Sequence, residues 1–202
     1  MIMIKNLLRI LLVLLFSNSI QAQEVEDSEV KEKSNPIIYA EAFGGFAVVH
    51  TTGVAGGAEL NYQAGKNLFS FRYTNAVGYT KKEETYIIPA FDKTEDNNEF
   101  ALLFGRRWLE ESHSYSISAG INYNSFELIK RDEEGNRYSR NKYFYGVPFE
   151  ANYKWFYSKR RSNLVFNTMI PSVGIKLFGS IAKNTFVGVG ITLGFGLHKE
   201  YK

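Results

Sequence analysis

The sequence predicts an all-β fold, an eight-stranded antiparallel up-and-down transmembrane β-barrel. Three observations predict it. From Pro36 onward, apolar residues alternate with polar or small ones, the period of two that marks half-buried strands. The alternating segments come to eight, an even count, and their connections differ in length: the second, fourth and sixth are short, the third and fifth long. In the last segment, "TFVGVGITLGFGLHKE" (185–200), Val187, Val189, Ile191, Leu193, Phe195 and Leu197 share one face, while Gly188, Gly190, Thr192, Gly194 and Gly196 share the other. A face this bare fits the crowded inside of a narrow barrel and is a poor match for water, where Lys and Glu abound.

Each strand follows from the same alternation. Residues 37–50 form the first, in the register that puts Glu41 on the polar face; "FGG" at 43–45 is expected to mark a bulge or kink. In the second, Ala58, Leu60 and Tyr62 oppose Glu59, Asn61 and Gln63. The third sets Phe69, Phe71, Tyr73, Val77 and Tyr79 against Ser70, Arg72, Thr74 and Gly78, with only Asn75 out of pattern. Phe100, Leu102, Phe104 and Trp108 make one side of the fourth. The fifth, "SYSISAGINYN" (114–124), alternates Tyr115, Ile117, Ala119, Ile121 and Tyr123 with Ser, Gly and Asn. In the sixth, Tyr145, Val147, Phe149, Tyr153 and Trp155 oppose Gly146, Glu150, Asn152 and Lys154, and "SVGIKLFGSI" (172–181) is the seventh. The connections are expected at 51–57, 64–67, 80–97, 109–113, 131–142, 158–163 and 182–184.

The chain's 202 residues suit one core unit with a leader. "MIMIKNLLRILLVLLFSNSIQAQ" runs from Lys5 and Arg9 through an apolar stretch to small Ala22, the order of a secretory signal, and that stretch is too short to span a bilayer as a helix. Residues 1–22 are therefore expected to be a cleaved signal peptide, with Ser19 as the alternative cleavage point. Residues 23–35, "QEVEDSEVKEKSN", lack aromatics and carry mostly acids, which predicts a flexible N-terminal arm ahead of a barrel over 36–202. Removing the leader takes Lys5 and Arg9 with it, so the net charge falls from +3 to about +1. So small a charge speaks against nucleic acid as a partner. The absence of Cys rules out disulfides and thiolate metal sites.

Alternation alone does not say which face is outside, since a soluble ligand-carrying barrel turns its apolar face inward. The bare even face of the last strand decides for lipid on the bulky side. Trp108, Trp155, Tyr157 and Tyr62 then form an aromatic girdle at one end, and Tyr79, Tyr123, Tyr143 and Tyr145 one at the other.

The closing run "LFGSIAKNTFVGVGITLGFGL", together with the leader and the loop pattern, resembles the small outer-membrane β-barrel proteins of Gram-negative bacteria, of the eight-stranded OmpX/OmpA type, over about residues 36–202. Its motifs are compositional and specify a class, not an activity. The resemblance implies the outer membrane as location, with outer-membrane lipid around the barrel and a protein or other surface ligand at extracellular loops as a candidate partner. Many such chains end on an aromatic residue used in assembly; here Phe195 and Tyr201 are the candidates. Oligomeric state stays open.

Glu41, Glu59, Glu99 and Glu150 with Arg72, Arg107, Lys154 and Lys176 are the expected lumen charges, four acids facing four bases. Ionisable groups inside a membrane protein are functional suspects, yet balanced charge in a narrow barrel favours a paired plug over a solute path. The third connection embeds Tyr86, Ile87, Ile88 and Phe91 among charges, a candidate partner-binding loop; packing of the loops against each other is the plainer reading. Glu134, Gly135 and Asn136 are the expected tip of the fifth. His50, His113 and His198 fall in different places, so no metal centre and no cofactor is expected. The stretch "ESHSYS" offers Ser114 beside His113, superficially like a lipid deacylase, with an ordinary turn as the favoured reading. The function expected is a non-enzymatic one in envelope structure or surface binding, with a narrow conduit or a lipid-modifying enzyme as alternatives.

Overall fold

In a computed structural model, which describes residues 36–81, 91–110, 112–131, 137–156 and 169–197, the alternating segments become eight strands. They are β1 (Ile37–Val48), β2 (Thr52–Ala64), β3 (Asn67–Lys81), β4 (Phe91–Leu109), β5 (His113–Arg131), β6 (Arg137–Phe156), β7 (Met169–Ile181) and β8 (Phe186–Leu197). Each pairs antiparallel with its neighbour in sequence, and β1 pairs with β8 to close the ring. Closure leaves no sheet edge, the only way a sheet can satisfy its backbone in hydrocarbon.

The bulky faces point out. On β8, Val189, Ile191, Leu193 and Phe195 are exposed, while Thr192 and the flanking glycine positions line the interior. Phe71, Leu102 and Ile121 continue this apolar exterior around the barrel. The glycines of β8 make room for rings: a Cβ on Gly188 would lie 2.7 Å from Cζ of Phe178, whose ring is fully buried in the lumen. Phe178 meets Phe43 edge-on at 4.9 Å, and with Ala47, Ala55, Ala76 and Phe186 the two form an apolar layer in one half of the lumen. Ile37, Tyr39 and Leu68 form a second layer toward the other end. Glu41 thus lies between the two apolar clusters, flanked along β1 by Tyr39 and Phe43.

Rings gather at both ends of the exterior. Trp108 stacks on Tyr115 at 5.1 Å, and Tyr153 meets Trp155 at 4.6 Å, near the end that holds the β2–β3 turn. At the opposite end Tyr123 touches Tyr143 and Tyr145. Tyr157 lies outside the described residues. The β2–β3 turn is tight because Gly65 adopts a left-handed φ of 59°, open to glycine without steric cost, and Gln63 donates to its carbonyl at 2.6 Å.

Several expected boundaries are corrected. The first connection is short: β2 starts at Thr52, and Gly53, Gly56 and Gly57 belong to the ladder with β1 and β3. "FGG" at 43–45 carries no bulge, since the β1–β2 register runs unbroken through Phe43↔Gly57, Gly44↔Gly56 and Gly45↔Ala55. The irregularity falls instead between Gly78 and Tyr79, opposite β4. That strand begins at Phe91, so the whole stretch 91–97 is sheet, and β6 begins at Arg137 rather than after 142. β6 ends at Phe156 and β7 begins at Met169, so the expected sixth connection, 158–163, lies outside the described residues, as does the tip Glu134–Asn136.

β4, β5 and β6 have 19, 19 and 20 residues. A tilted strand crosses a bilayer in roughly 9–11. These strands therefore continue beyond the lipid at the end away from the β2–β3 turn.

Candidate functional site

All eight expected lumen charges are buried: Glu41, Glu59, Arg72, Glu99, Arg107, Glu150, Lys154 and Lys176. Period-two geometry puts them there, because each shares its strand face with the small and hydroxyl residues and opposes the bulky ones. Seven of the eight join in one chain of contacts. Lys176 Nζ sits 2.7 Å from Glu41 and 3.3 Å from Glu150, and pairs with Glu59 as well. Lys154 pairs with the second oxygen of Glu41. Glu41 and Glu59 are direct neighbours across the β1–β2 ladder. Like charges so placed repel, and the Lys176 ammonium between them removes the conflict.

Arg72 carries the chain across the barrel. Its guanidinium is 2.7 Å from Glu99 on β4 and 3.2 Å from Glu150 on β6, and it donates to the carbonyls of Phe149 and Gly179 at 3.2 Å each. A side chain rooted in β3 thus reaches β6 and β7 on the far wall. Asn122 on β5 donates to Glu99 and to Ser180, extending the contacts to a seventh strand. Lys176 also lies over the Phe43 ring at 4.4 Å. At so buried a position an uncompensated charge would be costly, and fork-shaped donation to two carboxylates is what suits an arginine.

Arg107 sits apart from this chain. It donates to Ser114 Oγ at 3.1 and 3.2 Å and to Gln63 at 3.3 Å, and lies 4.4 Å from the centre of the Tyr39 ring. Tyr39 also receives Lys154 on its ring at 4.6 Å, so one aromatic side chain links the two groups. Ser114 faces the lumen and His113 the opposite face, where it stacks on Tyr153 and lies 3.1 Å from Glu110. The two neighbours do not form a nucleophile and base pair.

Sequence reasoning missed Glu95. It is 3% exposed, and its carboxylate accepts from the backbone of His50 at 3.2 Å and of Thr51 at 3.4 Å, and from Thr51 Oγ1 at 3.2 Å. His50 Nδ1 is 3.0 Å away, and the His50 ring packs against Phe126. The turn after β1 is thereby tied to β4. Continuing the alternation of β4 backward from Glu99 through Asn97 would have found this carboxylate. The lumen aromatics Tyr39, Phe43 and Phe178 share parity with Glu41 and Lys176, and that parity was the signal for them.

Asn75, the one residue out of pattern on β3, has a physical reason. It donates to Asp96 at 2.6 Å and to Asn98 at 3.0 Å across the β3–β4 ladder, and Tyr73 OH donates to Asn98 at 2.8 Å. Here the outward face of β4 turns from apolar Phe100 to polar Asn98 and Asp96. Of the candidate loop residues, Phe91 opens β4 and is exposed, while Tyr86, Ile87 and Ile88 lie outside the described residues. His198 does too.

No protein-family model matches the chain, and no curated protein matches its sequence significantly. Among solved structures, the N-terminal β-barrel domain of OprF from Pseudomonas aeruginosa is similar over 79% of this chain and 96% of its own, at 10% identity and a TM-score of 0.50. The chain has the fold of the small eight-stranded outer-membrane β-barrels. Ail, the attachment invasion locus protein of Yersinia pestis, is matched over 81% of this chain and 98% of its own at 14% identity and a TM-score of 0.47. For Neisserial surface protein A the shares are 80% and 96%, at 12% identity and a TM-score of 0.46. At these identities the likeness is one of fold. In this outer-membrane-type barrel, the apolar exterior is the lipid-facing wall and the charge network is its filled lumen.

Proposed function

We propose that the protein is a non-enzymatic outer-membrane barrel, a sealed anchor whose working surface is the part of β3 to β6 that extends beyond the outer aromatic girdle. On this reading residues 1–22 are a cleaved signal, residues 23–35 a periplasmic arm, and the barrel serves envelope structure or surface binding. The observation that carries it is the lumen: a wall-to-wall network of paired charges between two apolar layers. Such an interior holds the barrel together and leaves the extended strands to meet other molecules.

Planar-bilayer recording tests this. The purified full chain is expected to give no reproducible open level; a stable, voltage-independent conductance would show the lumen to be a conduit and contradict the reading.

A further inference from the structure

Along β4 the outward residues run Phe100, Leu102, Phe104, Arg106 and Trp108, so one cation interrupts an otherwise apolar lipid face. Its chain neighbour Arg107 points the other way, into the lumen. The ladders set Arg106 opposite Asn67 of β3 and Ile117 of β5, and all three are exposed on the outer wall. Trp108 stacks on Tyr115 one pair nearer the end of the barrel, so Arg106 lies on the lipid side of that girdle and not beyond it. No described residue accepts a hydrogen bond from its guanidinium. An arginine on a lipid face is costly at mid-depth and far less so at the interface, where head-group phosphate supplies the missing acceptors.

Toward the membrane centre from Arg106 and Asn67 begins an apolar furrow of about 610 Å³. Phe69 and Phe104, with ring centres 5.0 Å apart, form its near end, being the next outward pair of the β3–β4 ladder. Leu60, Phe71, Leu102 and Ile121 continue it. A cation and an amide at one end of an apolar furrow complement an amphiphile with an anionic head and an acyl tail. The guanidinium fork fits two phosphate oxygens at once, and the Asn67 amide offers a further donor. This end of the barrel carries the short β2–β3 turn, and short turns lie on the periplasmic side in barrels of this class.

We propose that Arg106 and Asn67 clasp the phosphate of an anionic glycerophospholipid in the periplasmic leaflet, one acyl chain of which lies along the furrow. The site is separate from the charge network of the lumen and from the extended strands.

The fluorescence of Trp108, two residues from Arg106 on the same face, tests this. In the full chain with Trp155→Phe, Trp108 is the one tryptophan left. The protein is refolded into vesicles of phosphatidylcholine with brominated acyl chains, which quench it. A rising share of that lipid is then replaced by unbrominated phosphatidylglycerol or, for reference, unbrominated phosphatidylcholine. Phosphatidylglycerol is expected to relieve the quenching as a lipid preferred about fivefold, the factor for one basic residue at an anionic membrane surface. The preference is expected to shrink as salt rises. Arg106→Gln, in protein that keeps its heat-modifiable gel migration, is expected to bring the ratio near one. A further chain with Trp108→Phe, Trp155→Phe and Leu193→Trp puts the reporter on the lipid face of β8, where a ratio near one is expected with Arg106 intact. Equal relief by the two lipids at Trp108, an unchanged preference in Arg106→Gln, or the same preference at position 193 would overturn the proposal. The β8 comparison keeps Arg106 in place, so it decides the matter even where Arg106→Gln does not fold.

Discussion

Replacing Lys176 by methionine is expected to cost about 3–5 kcal/mol of barrel stability, the range for breaking a buried ion pair by removing one partner. Lys176 Nζ serves Glu41, Glu59 and Glu150, and all three carboxylates are buried. Without it the ladder neighbours Glu41 and Glu59 face each other with no cation between them. Urea titration of the protein in lipid vesicles, read by the gel shift of the folded form, measures the loss. Adding Glu59→Gln to the same chain is expected to recover part of it, because Glu41 keeps Lys154 and Glu150 keeps Arg72, and the carboxylate that has lost its cation is then neutral. Lys66→Met, in the exposed β2–β3 turn, is the control that should leave the midpoint within about 0.5 kcal/mol. A Lys176→Met midpoint equal to that of the wild type would mean the network contributes nothing.

Ile191→Arg separates a lipid-facing wall from a water-facing one. Ile191 is 61% exposed. Were that face in water, arginine would be an ordinary surface substitution, neutral within about 0.5 kcal/mol. In a bilayer it is expected to cost roughly 2–4 kcal/mol, the penalty for arginine near the midplane of a barrel's lipid face. Val48→Arg, at the end of β1 close to the outer rim, is expected to cost about 0–1 kcal/mol by the same depth dependence. The vesicle titration that measures Lys176→Met reads both. Equal, small effects at the two positions would place this surface outside hydrocarbon.

The strands were legible where one face meets lipid and the other the lumen. β8 shows this best, since Ile191 and Gly190 face environments that differ as much as hydrocarbon and a packed polar interior. The alternation fades where both faces are polar, as in residues 91–97 with buried Glu95 and Asn97 and in 137–142, which read as connections although they belong to β4 and β6. Gly53, Gly56 and Gly57 read as a loop for another reason: composition does not distinguish a glycine that turns the chain from one that lets a neighbour approach. A Cβ on Gly57 would lie 2.8 Å from Cζ of Phe43 and 1.9 Å from the carbonyl oxygen of Tyr73, so this glycine serves close packing inside the sheet.

Parity alone assigned the eight charges to the lumen, but not their partners. Arg72 reaches Glu150 across 78 positions of sequence, and Lys176 reaches Glu41 across 135. Such contacts depend on barrel closure and on the stagger between distant strands, which a linear pattern does not contain. The same limit hid the separate place of Arg107, whose donation to Ser114 and Gln63 depends on how three strands meet at one end of the lumen. That the ends of β3, β4 and β5 bring Lys81, Lys93 and Lys130 to one groove is likewise in no single stretch of sequence.

The direction in which the strands turn their bulky faces supports every other conclusion, and labelling from within the bilayer tests it most directly. A photoactivated carbene probe confined to the hydrocarbon of vesicles holding the full chain is expected to modify Phe71, Leu102 and Ile191 and to spare Arg72, Glu99 and Thr192 on the alternate face. Modification of the second set, or protection of the first set combined with its reaction toward water-soluble reagents, would contradict it.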